Sequence, residues 1–203
     1  MIVIIDYGLG NLASVQNMFK KLGTKDVVIS NDLDIIKKAS KLILPGVGSF
    51  DTGMINLESS GLLNCLNEKV LVQKTPILGI CLGMQLMTKK SEEGIKSGLG
   101  WINAETIKFN FPDDTSFKVP HMGWNYVSIK KENSLIELNT KNKFYFVHSY
   151  YVKCSDTEDI MGTTNYFEEF TCFFNHNNIF GVQFHPEKSL KFGMKLLENF
   201  AKL

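Results

Sequence analysis

Short apolar runs, rich in isoleucine and valine and separated by helix-length segments, set the character of the first half of the chain. The runs cover residues 2–5, 27–29, 41–44 and 76–80. Continuous apolar strands of this kind are typical of parallel sheets buried between two layers of helices. From Trp101 onward the apolar segments are shorter and alternate with polar residues, which indicates antiparallel strands at a sheet edge. We therefore predict an α/β fold with a mostly parallel sheet, helices on both faces and antiparallel edge additions.

The chain is long enough for one compact domain, and we expect residues 1–203 to form it without an internal linker. Its 22 basic residues are all lysines and 21 acidic residues nearly balance them, which leaves a formal net charge of +1. Nucleic-acid-binding proteins usually carry a basic surplus, so we expect no nucleic-acid partner. Without arginine the chain also lacks bidentate guanidinium clamps for phosphate or carboxylate.

The cysteines and the hydropathy pattern indicate where the protein works. Four cysteines occur without a C-x-x-C pair or dense spacing, which argues against a zinc site and against a disulfide scaffold. No apolar run approaches the roughly 20 residues of a membrane span, and the chain opens on a strand without a basic leader. We expect a reduced, soluble, cytoplasmic protein with no membrane partner.

A candidate nucleophile lies where the fourth apolar run passes into a helix. Cys81 is the centre of a Gly-Ile-Cys-Leu-Gly segment, which has the G-x-C-x-G spacing of a strand-to-helix elbow that exposes a reactive side chain. The N-terminus of the following helix favours the thiolate, and the amide of Leu82 is placed to stabilise an oxyanion. A buried and inert cysteine is the alternative, since that is the commoner fate of a free thiol.

A base and a residue that orients it are available at the end of another strand. His185 and Glu187 lie two residues apart, so their side chains can point the same way. Since parallel strands end at one edge of the sheet, His185 can converge there with Cys81. A Pro-Gly-Val-Gly strand exit at residues 45–48 supplies a second candidate oxyanion donor, at Val47 or Gly48. By itself that exit is more typical of an ordinary turn.

A competing signal follows the first strand. Residues 8–13 fit the G-x-G-x-x-A pattern of dinucleotide-binding proteins, and Asp32 lies about 20 residues further along. A nucleotide-binding oxidoreductase is therefore an alternative function. It leaves Cys81, His185 and Glu187 unexplained, and the second half of the chain is short for a substrate domain.

Together these segments resemble the triad-type, class-I glutamine amidotransferases. The segments that carry the resemblance, in family order, are residues 45–48, 79–85 and 181–187. More narrowly, the Asp-Tyr-Gly-Leu-Gly-Asn, Pro-His-Met-Gly-Trp-Asn and Tyr-Phe-Val-His-Ser-Tyr segments at residues 6–11, 120–125 and 145–150 resemble the glutaminase subunits of imidazole glycerol phosphate synthase. The resemblance spans essentially the whole chain. It implies a flavodoxin-like domain with no cofactor and no metal ion.

The resemblance also implies roles for the residues. Cys81 attacks the side-chain amide of L-glutamine, His185 passes the proton to the leaving ammonia, and Glu187 holds the imidazole. Water then hydrolyses the thioester to glutamate. The substrate-binding residues that the resemblance implies are Gly48, Gln85, Ser149 and Tyr150. A glutamine on the helix surface remains the alternative for Gln85.

A protein partner is implied as well. In the resembled family a (β/α)8-barrel cyclase forms a heterodimer with the glutaminase subunit and receives the ammonia to make imidazole glycerol phosphate and AICAR in histidine biosynthesis. A closed passage keeps the ammonia away from water. The residues expected to face the cyclase are Pro120, His121, Met122, Trp124, Asn125 and Lys188. The composition of residues 120–125 looks exposed and suits an interface, although Trp124 would equally suit a core anchor.

Two alternatives stay open beside this interpretation. Close paralogues of these subunits supply ammonia to amidotransferases that build surface-polysaccharide sugars, and the motifs do not separate the two uses. Ala13, Phe167 and the absence of arginine depart from the family pattern and leave the identity of the partner open. A degenerate scaffold without activity is the other alternative, and the complete set of Cys81, His185 and Glu187 argues against it.

Overall fold

The computed structural model describes residues 1–112 and 117–203. Within these residues eleven strands form one sheet. The strands are β1 (Ile2–Ile5), β2 (Val27–Ser30), β3 (Lys41–Gly46), β4 (Ile77–Cys81), β5 (Ala104–Lys108), β6 (His121–Ile129), β7 (Asn142–His148), β8 (Tyr150–Cys154), β9 (Ile160–Tyr166), β10 (Glu168–His176) and β11 (Ile179–Val182). Their order across the sheet is β2-β1-β3-β4-β11-β10-β9-β6-β7, and β5 pairs with β8, which in turn joins β10.

Six α-helices accompany the sheet in the described part of the chain. They are α1 (Leu12–Lys21), α2 (Leu33–Lys37), α3 (Phe50–Ser59), α4 (Leu62–Asn67), α5 (Leu82–Leu86) and α6 (Leu190–Lys202). A π-helical turn, Glu68–Val72, continues α4, and short 3-10 turns cover Thr157–Asp159 and Pro186–Lys188. In the described ranges, no helix has the length and apolar character needed to span a bilayer.

The strands β2, β1, β3, β4 and β11 run parallel and form one half of the sheet. Every residue of β4 and β11 is buried. The register pairs Gly46 with Cys81 and Val182 with Ile80, so β3, β4 and β11 end at nearly the same level. Their carboxyl ends therefore bring three chain segments together at one edge of the sheet.

Alternate residues of the parallel strands face two separate hydrophobic layers. Ile2 and Ile4 belong to the layer that includes α1 and α6, in which Phe19 is fully buried. Val3 and Ile5 belong to the opposite layer, which includes residues of α2, α3, α4 and α5. Because both faces are covered, these strands read as continuous apolar runs in the sequence. The predicted α/β fold with helices on both faces is confirmed.

The strands β5 to β10 are antiparallel and form the other half of the sheet. This half is larger than the sequence pattern indicated, because the pattern gave no sign of β8 or β9. Strand β9 carries Thr163 and Thr164, which are buried polar residues, so it lacks the apolar alternation that marks a strand. Helix α3 was also missed, since Gly53 and several polar residues interrupt its pattern.

Phe167 lies in the turn between β9 and β10, at a position where glycine is common in the resembled family. Its backbone has a left-handed φ of 65°. A residue with a side chain is strained there, which explains why glycine suits the position. The Phe167 ring packs against Phe111 and Phe117, with ring centroids 5.2 and 5.6 Å away. Aromatic packing therefore offsets part of the backbone strain.

Candidate active site

Cys81 occupies a strained junction between β4 and α5. Its backbone has φ 53° and ψ −110°, a conformation that costs a residue with a side chain on the order of 1–3 kcal/mol. The flanking glycines make room for this turn. A Cβ added at Gly83 would collide with the carbonyl oxygen of Leu44, and one added at Gly79 would lie 2.8 Å from the carbonyl oxygen of Gly83. The turn leaves Cys81 at the wall of a cavity and largely buried.

His185 follows β11 and is held on one side by Glu187. Nδ1 of His185 lies 2.7 Å from Oε1 of Glu187, and the two side chains are almost completely buried. The Ser189 hydroxyl donates to the carbonyl oxygen of His185 at 2.6 Å, which fixes the backbone. Nε2 of His185 is buried and has no hydrogen-bond partner among residues 1–112 and 117–203. One ring nitrogen is therefore fixed by Glu187, and the other is left for a reacting group.

The pKa of His185 is raised to about 10. Burial alone would lower this pKa, but the interactions with Cys81 and with the Glu187 carboxylate outweigh it. The imidazolium is therefore the stable form of the ring at neutral pH. A cation beside a cysteine favours the thiolate, which is the nucleophilic form of the side chain.

A cavity of about 330 Å³ lies in front of Cys81 and His185. A volume of this size accommodates a small ligand. The other predicted site residues that line it are Val47, Gly48, Leu82, Gln85, Ser149 and Tyr150. The structure thus brings every predicted oxyanion and glutamine-binding residue to one cavity, and Glu187 lies behind His185.

Gln85 points inward and belongs to a buried chain of hydrogen bonds. Its Nε2 donates to the carbonyl oxygen of Tyr150 at 2.9 Å and to Oε1 of Gln183 at 3.0 Å. Gln183 is fully buried, and its Nε2 lies 3.7 Å from Sγ of Cys81. Gln85 itself is 5% exposed, so the alternative that placed it on the helix surface is wrong.

A buried histidine pair backs the cavity. Nδ1 of His121 lies 2.9 Å from Nε2 of His148, and Nδ1 of His148 lies 2.8 Å from the carbonyl oxygen of Tyr150. A carbonyl oxygen only accepts, so Nδ1 of His148 carries the proton and Nε2 accepts from His121. Burial lowers the pKa of His121 to about 4 and that of His148 to about 3. Both rings are therefore neutral at physiological pH.

The predicted partner-facing residues form an exposed strip beside the cavity. Met122 and Trp124 are 62% and 42% exposed, and Pro120 and Lys188 are also exposed. Trp124 makes an edge contact with Tyr145, with ring centroids 6.2 Å apart. The Nζ atom of Lys188 lies 5.6 Å from the centroid of the same tyrosine ring. Trp124 is thus a surface residue and not a core anchor.

His121 is the exception among these residues. It is 3% exposed and stacks against Phe146 and Tyr166, so the expectation that its side chain is exposed is wrong. The composition of residues 120–125 indicates an exposed segment, but β6 begins at His121 and its side chains alternate between the two faces. Asn125 is half-buried and donates from Nδ2 to the carbonyl oxygen of Asn165 at 2.8 Å.

Three polar residues at the cavity were not foreseen from the sequence: Glu93, His148 and Gln183. Glu93 and His148 line the cavity, and Oε2 of Glu93 accepts from the N–H of Phe50 at 2.8 Å. Glu93 follows α5 in a polar loop without a motif of its own. Gln183 lies two residues before His185 and His148 one before Ser149, so both belong to segments that carry the family resemblance and could have been found there.

The sequence profile of the class-I glutamine amidotransferases matches residues 3–203. The chain belongs to this family. Imidazole glycerol phosphate synthase subunit HisH 2 of Methanococcus maripaludis is 59% identical over 203 residues, which cover 100% of this chain and 99% of that protein. Imidazole glycerol phosphate synthase subunit HisH 2 of Pseudomonas aeruginosa is 50% identical over 204 residues, covering 100% of both chains. The predicted resemblance is confirmed.

Solved structures agree on the fold of this class-I glutamine amidotransferase. A crystal structure of a glutamine amidotransferase superposes with a TM-score of 0.74 at 15% identity, covering 100% of both chains. The structure of PurLQS from Thermotoga maritima gives a TM-score of 0.73 at 15% identity, covering 99% of this chain and 97% of that one. At such low identity these likenesses show the fold alone.

The comparisons contradict the dinucleotide-binding alternative, because the glutamine amidotransferase match covers residues 3–203. Asp32, which would have to hold a ribose, caps the N-terminus of α2: its side chain accepts from the N–H groups of Asp34 and Ile35 at 2.7 and 3.3 Å. This class-I glutamine amidotransferase is an enzyme. The degenerate scaffold is likewise disfavoured, because Cys81, His185 and Glu187 are all in place.

Proposed function

We propose that this chain hydrolyses L-glutamine at Cys81, with His185 as acid and base and Glu187 as its orienting partner, and delivers the ammonia to a (β/α)8-barrel cyclase. The cyclase would use it to form imidazole glycerol phosphate and AICAR in histidine biosynthesis. The observation that carries the proposal is the meeting of a strained Cys81 elbow and a Glu187-held His185 at one cavity of about 330 Å³.

The first half of the reaction begins with attack by the Cys81 sulfur on the side-chain amide carbon of glutamine. The carbonyl oxygen gains negative charge, and the N–H of Leu82 at the start of α5 stabilises it. A second donor comes from the Val47 and Gly48 backbone, which the pairing of Gly46 with Cys81 holds beside the nucleophile. His185 then gives its proton to the nitrogen that leaves as ammonia.

The second half of the reaction uses the same groups in reverse roles. After ammonia leaves, His185 is neutral and accepts a proton from an incoming water. That water attacks the thioester carbon, and the Cys81 sulfur leaves as a thiolate with release of glutamate. The Glu187 carboxylate holds the ring in one orientation throughout. The 2.7 Å contact to Nδ1 supports this role.

Recognition of glutamine needs groups for its α-ammonium and for its α-carboxylate. The Glu93 carboxylate lines the cavity and suits the α-ammonium group, while Gln85, Ser149 and Tyr150 offer neutral polar groups. In the described residues that line the cavity there is no lysine, so backbone N–H groups such as that of Gly48 are left for the α-carboxylate. This arrangement fits an uncharged side chain carrying an amide.

The cavity opens beside the exposed strip of Pro120, Met122, Trp124 and Lys188. A partner docked there would lie next to the point where ammonia is released. Direct transfer is useful because ammonia has to remain unprotonated to react, and a water-excluding passage helps it do so. The relatives named as imidazole glycerol phosphate synthase subunits support a cyclase as that partner.

One observation keeps the polysaccharide pathway as a second candidate. Methanococcus maripaludis has two similar proteins, subunit HisH 1 at 48% identity and subunit HisH 2 at 59% identity to this chain. Two copies in one organism leave room for two ammonia acceptors. A surface-sugar amidotransferase is therefore tested as a partner alongside the cyclase.

The test is to co-purify the chain with the candidate cyclase and, separately, with a candidate sugar amidotransferase from the same organism. Each pair is assayed for glutamine-dependent synthesis, with ammonium salts replacing glutamine as a control for the partner. We expect only the cyclase to bind and to use glutamine. If the sugar amidotransferase binds instead, the histidine pathway is the wrong assignment and the glutaminase chemistry stands.

A further inference from the structure

Gln183 has no role in the mechanism above, yet its side chain reaches the reacting sulfur. Val182 pairs with Ile80, so Gln183 comes directly beside Cys81 at the ends of two neighbouring strands. Its Nε2 lies 3.7 Å from Sγ of Cys81, an ordinary distance for a hydrogen bond to sulfur. Gln183 is fully buried, and the amide is thus shielded from competing water.

The orientation of the Gln183 amide follows from its neighbours. The carbonyl oxygen of Tyr150 can only accept, so the group of Gln85 that faces it at 2.9 Å must be the N–H2 group. The second hydrogen on that nitrogen points at Gln183, 3.0 Å away, and therefore requires an acceptor there. Gln183 must present Oε1 to Gln85, which turns its own N–H2 group toward Cys81. A flipped amide would set two donors against each other.

We propose that Gln183 is a catalytic residue whose side-chain N–H donates to the Cys81 thiolate and stabilises it before attack on glutamine. The inference rests on the proposed function of Cys81 as nucleophile. Gln183 makes and breaks no covalent bond. Its contribution is largest while the sulfur carries a full negative charge and falls as the thioester forms.

Another contact of the sulfur favours the opposite form. The Cys81 thiol donates toward the carbonyl oxygen of Val147 at 3.9 Å, which stabilises the protonated side chain. A thiol is a weak donor, whereas a hydrogen bond to an ionised acceptor is roughly twice as strong as a neutral one. The Gln183 contact is also the shorter of the two. The Gln183 contact is therefore the stronger of the two at the ionised sulfur.

Other groups also set the charge around Cys81. The titratable residues that face it or line the same cavity are Tyr7, Glu93, His148, Tyr150 and His185, with Glu187 behind His185. His185 is the cation among them, and Glu93 and Glu187 are anions. Gln183 has no titratable group, so its hydrogen bond stabilises the Cys81 thiolate equally at every pH. An uncharged substitution removes that bond without adding a group that titrates.

The test measures the pH dependence of alkylation of Cys81 by iodoacetamide in the full chain, read from the peptide that contains Cys81. Gln183→Met removes the donor and the acceptor at similar volume. Gln183→Leu, also uncharged, removes the same groups with a differently shaped apolar side chain. We expect the midpoint of the alkylation profile to rise by about one pH unit in both variants, a tenfold smaller dissociation constant or about 1.4 kcal/mol.

Gln16→Met is the matched control. Gln16 is a half-buried glutamine whose Nε2 is likewise a hydrogen-bond donor, to the backbone carbonyl of Val27 at 3.0 Å, but it lies on α1 away from the cavity. The pH midpoint of Cys81 alkylation in Gln16→Met should equal that of the unmodified chain. An unchanged midpoint in Gln183→Met, or a shift there that is absent from Gln183→Leu, overturns the proposal.

If both Gln183 variants fail to fold, the native chain decides by NMR. The side-chain amide resonance of Gln183 should move as Cys81 ionises and stay fixed in Cys81→Ala; a resonance that does not respond to Cys81 overturns the proposal. Alkylation and amide shifts do not depend on turnover. Persistent glutamine hydrolysis in Cys81→Ala would instead remove the proposed nucleophile, so the two failures are distinguishable.

Discussion

Nδ1 of His185 lies 2.7 Å from Oε1 of Glu187, and both side chains are almost fully buried. In this setting the carboxylate acts at short range and little screened by water. Together with Cys81 it raises the pKa of His185 to about 10 against the opposing effect of burial. The protonation state of His185, which acts as acid and base, therefore depends on both Glu187 and Cys81.

Glu187→Gln should shift the basic limb of the glutaminase pH profile to lower pH. Removing the carboxylate charge lowers the pKa of His185, so the imidazolium is lost earlier as the pH rises. The same reasoning applies to stability. A raised pKa contributes stability that is complete below about 6.5 and disappears as the pH rises through about 10, and Glu187→Gln should lose part of it.

The measurement is kcat/KM for glutamine as a function of pH, combined with thermal unfolding at neutral and alkaline pH. Glu198→Gln is the control, because Glu198 pairs with Lys202 on the exposed side of α6. It should leave both profiles unchanged. A basic limb that stays in place in Glu187→Gln would contradict the proposed source of the raised pKa.

Cys81→Ala should abolish glutamine hydrolysis, by a factor on the order of 10⁴ or more, while synthesis from added ammonium salts continues in the presence of the partner. His185→Ala should lose about as much, because nucleophile and base act as a unit. Glutamate release and ammonium-driven synthesis are measured side by side. Cys65→Ala serves as the matched cysteine control. Undiminished glutamate release by Cys81→Ala would remove Cys81 as the nucleophile.

The sequence predicted the parts of this molecule whose signal is local. The apolar runs gave the parallel strands, and the glycines around Cys81 gave the elbow, because a Cβ at either position collides with backbone. Glu93 could not be predicted, since it reaches the cavity through a loop that folds back to cap α3 at Phe50. The inward position of His121 was missed because strand alternation overrides the polar appearance of its segment.

The buried pair of His121 and His148 should make the protein sensitive to acid. Both pKa values are lowered, to about 4 and about 3, so the unfolded chain binds more protons than the folded chain below pH 6.5. Stability is therefore present above about 6.5 and is lost as the pH falls toward these values. His148→Gln, which can still donate to the carbonyl oxygen of Tyr150, should lose less of its free energy of unfolding as the pH falls.

The free energy of unfolding, measured by chemical denaturation between neutral pH and about pH 4, provides the comparison. Each unit of pKa shift corresponds to about 1.4 kcal/mol. Because the two rings share a hydrogen bond, their shifts are treated as belonging to the pair and are not added. His176→Gln is the control, since His176 is half-exposed beside Asp159. If His148→Gln and His176→Gln change the acid dependence equally, the buried pair is not its source.

The turn at Val47 and Gly48 should limit the rate of glutamine hydrolysis by the isolated chain. Gly48 has a φ of +118°, a conformation open to glycine, and Val47 is 44% exposed, so this peptide can reorient when a partner covers it. We expect slow glutamine hydrolysis without the partner and a gain of about 100-fold or more with it, the usual effect of one oxyanion donor. Gly48→Ala should remove most of that gain through kcat.

Gly23→Ala is the matched control for this glycine. Gly23 also has a positive φ, +70°, and an added Cβ there meets nothing within 4 Å, but it lies at the end of α1 away from the cavity. It should lose stability and keep the partner-dependent gain. Rapid hydrolysis by the isolated, unmodified chain would show that both oxyanion donors are already in place.

Trp124 and Lys188, in the exposed strip beside the cavity, should contribute unequally to the free energy of partner binding. Trp124 presents a large ring that is 42% exposed and already braced by Tyr145, so it can be buried at little entropic cost. Lys188 is an exposed cation, and a pair with a partner carboxylate at the rim would be worth little. Trp124→Ala should weaken binding of the cyclase by about 2 kcal/mol or more, roughly 30-fold in Kd, and Lys188→Ala by much less.

Titration of each variant with the purified cyclase gives the two Kd values, and glutamate release without the partner reports whether the glutaminase site itself is intact. Phe192→Ala is a suitable control, because Phe192 is a partly buried aromatic residue on α6, outside the exposed strip. Salt should weaken the contribution of Lys188 and leave that of Trp124 largely unchanged, since only the charge pair is screened. Equal losses for Trp124→Ala and Phe192→Ala would mean that the partner does not dock on this strip.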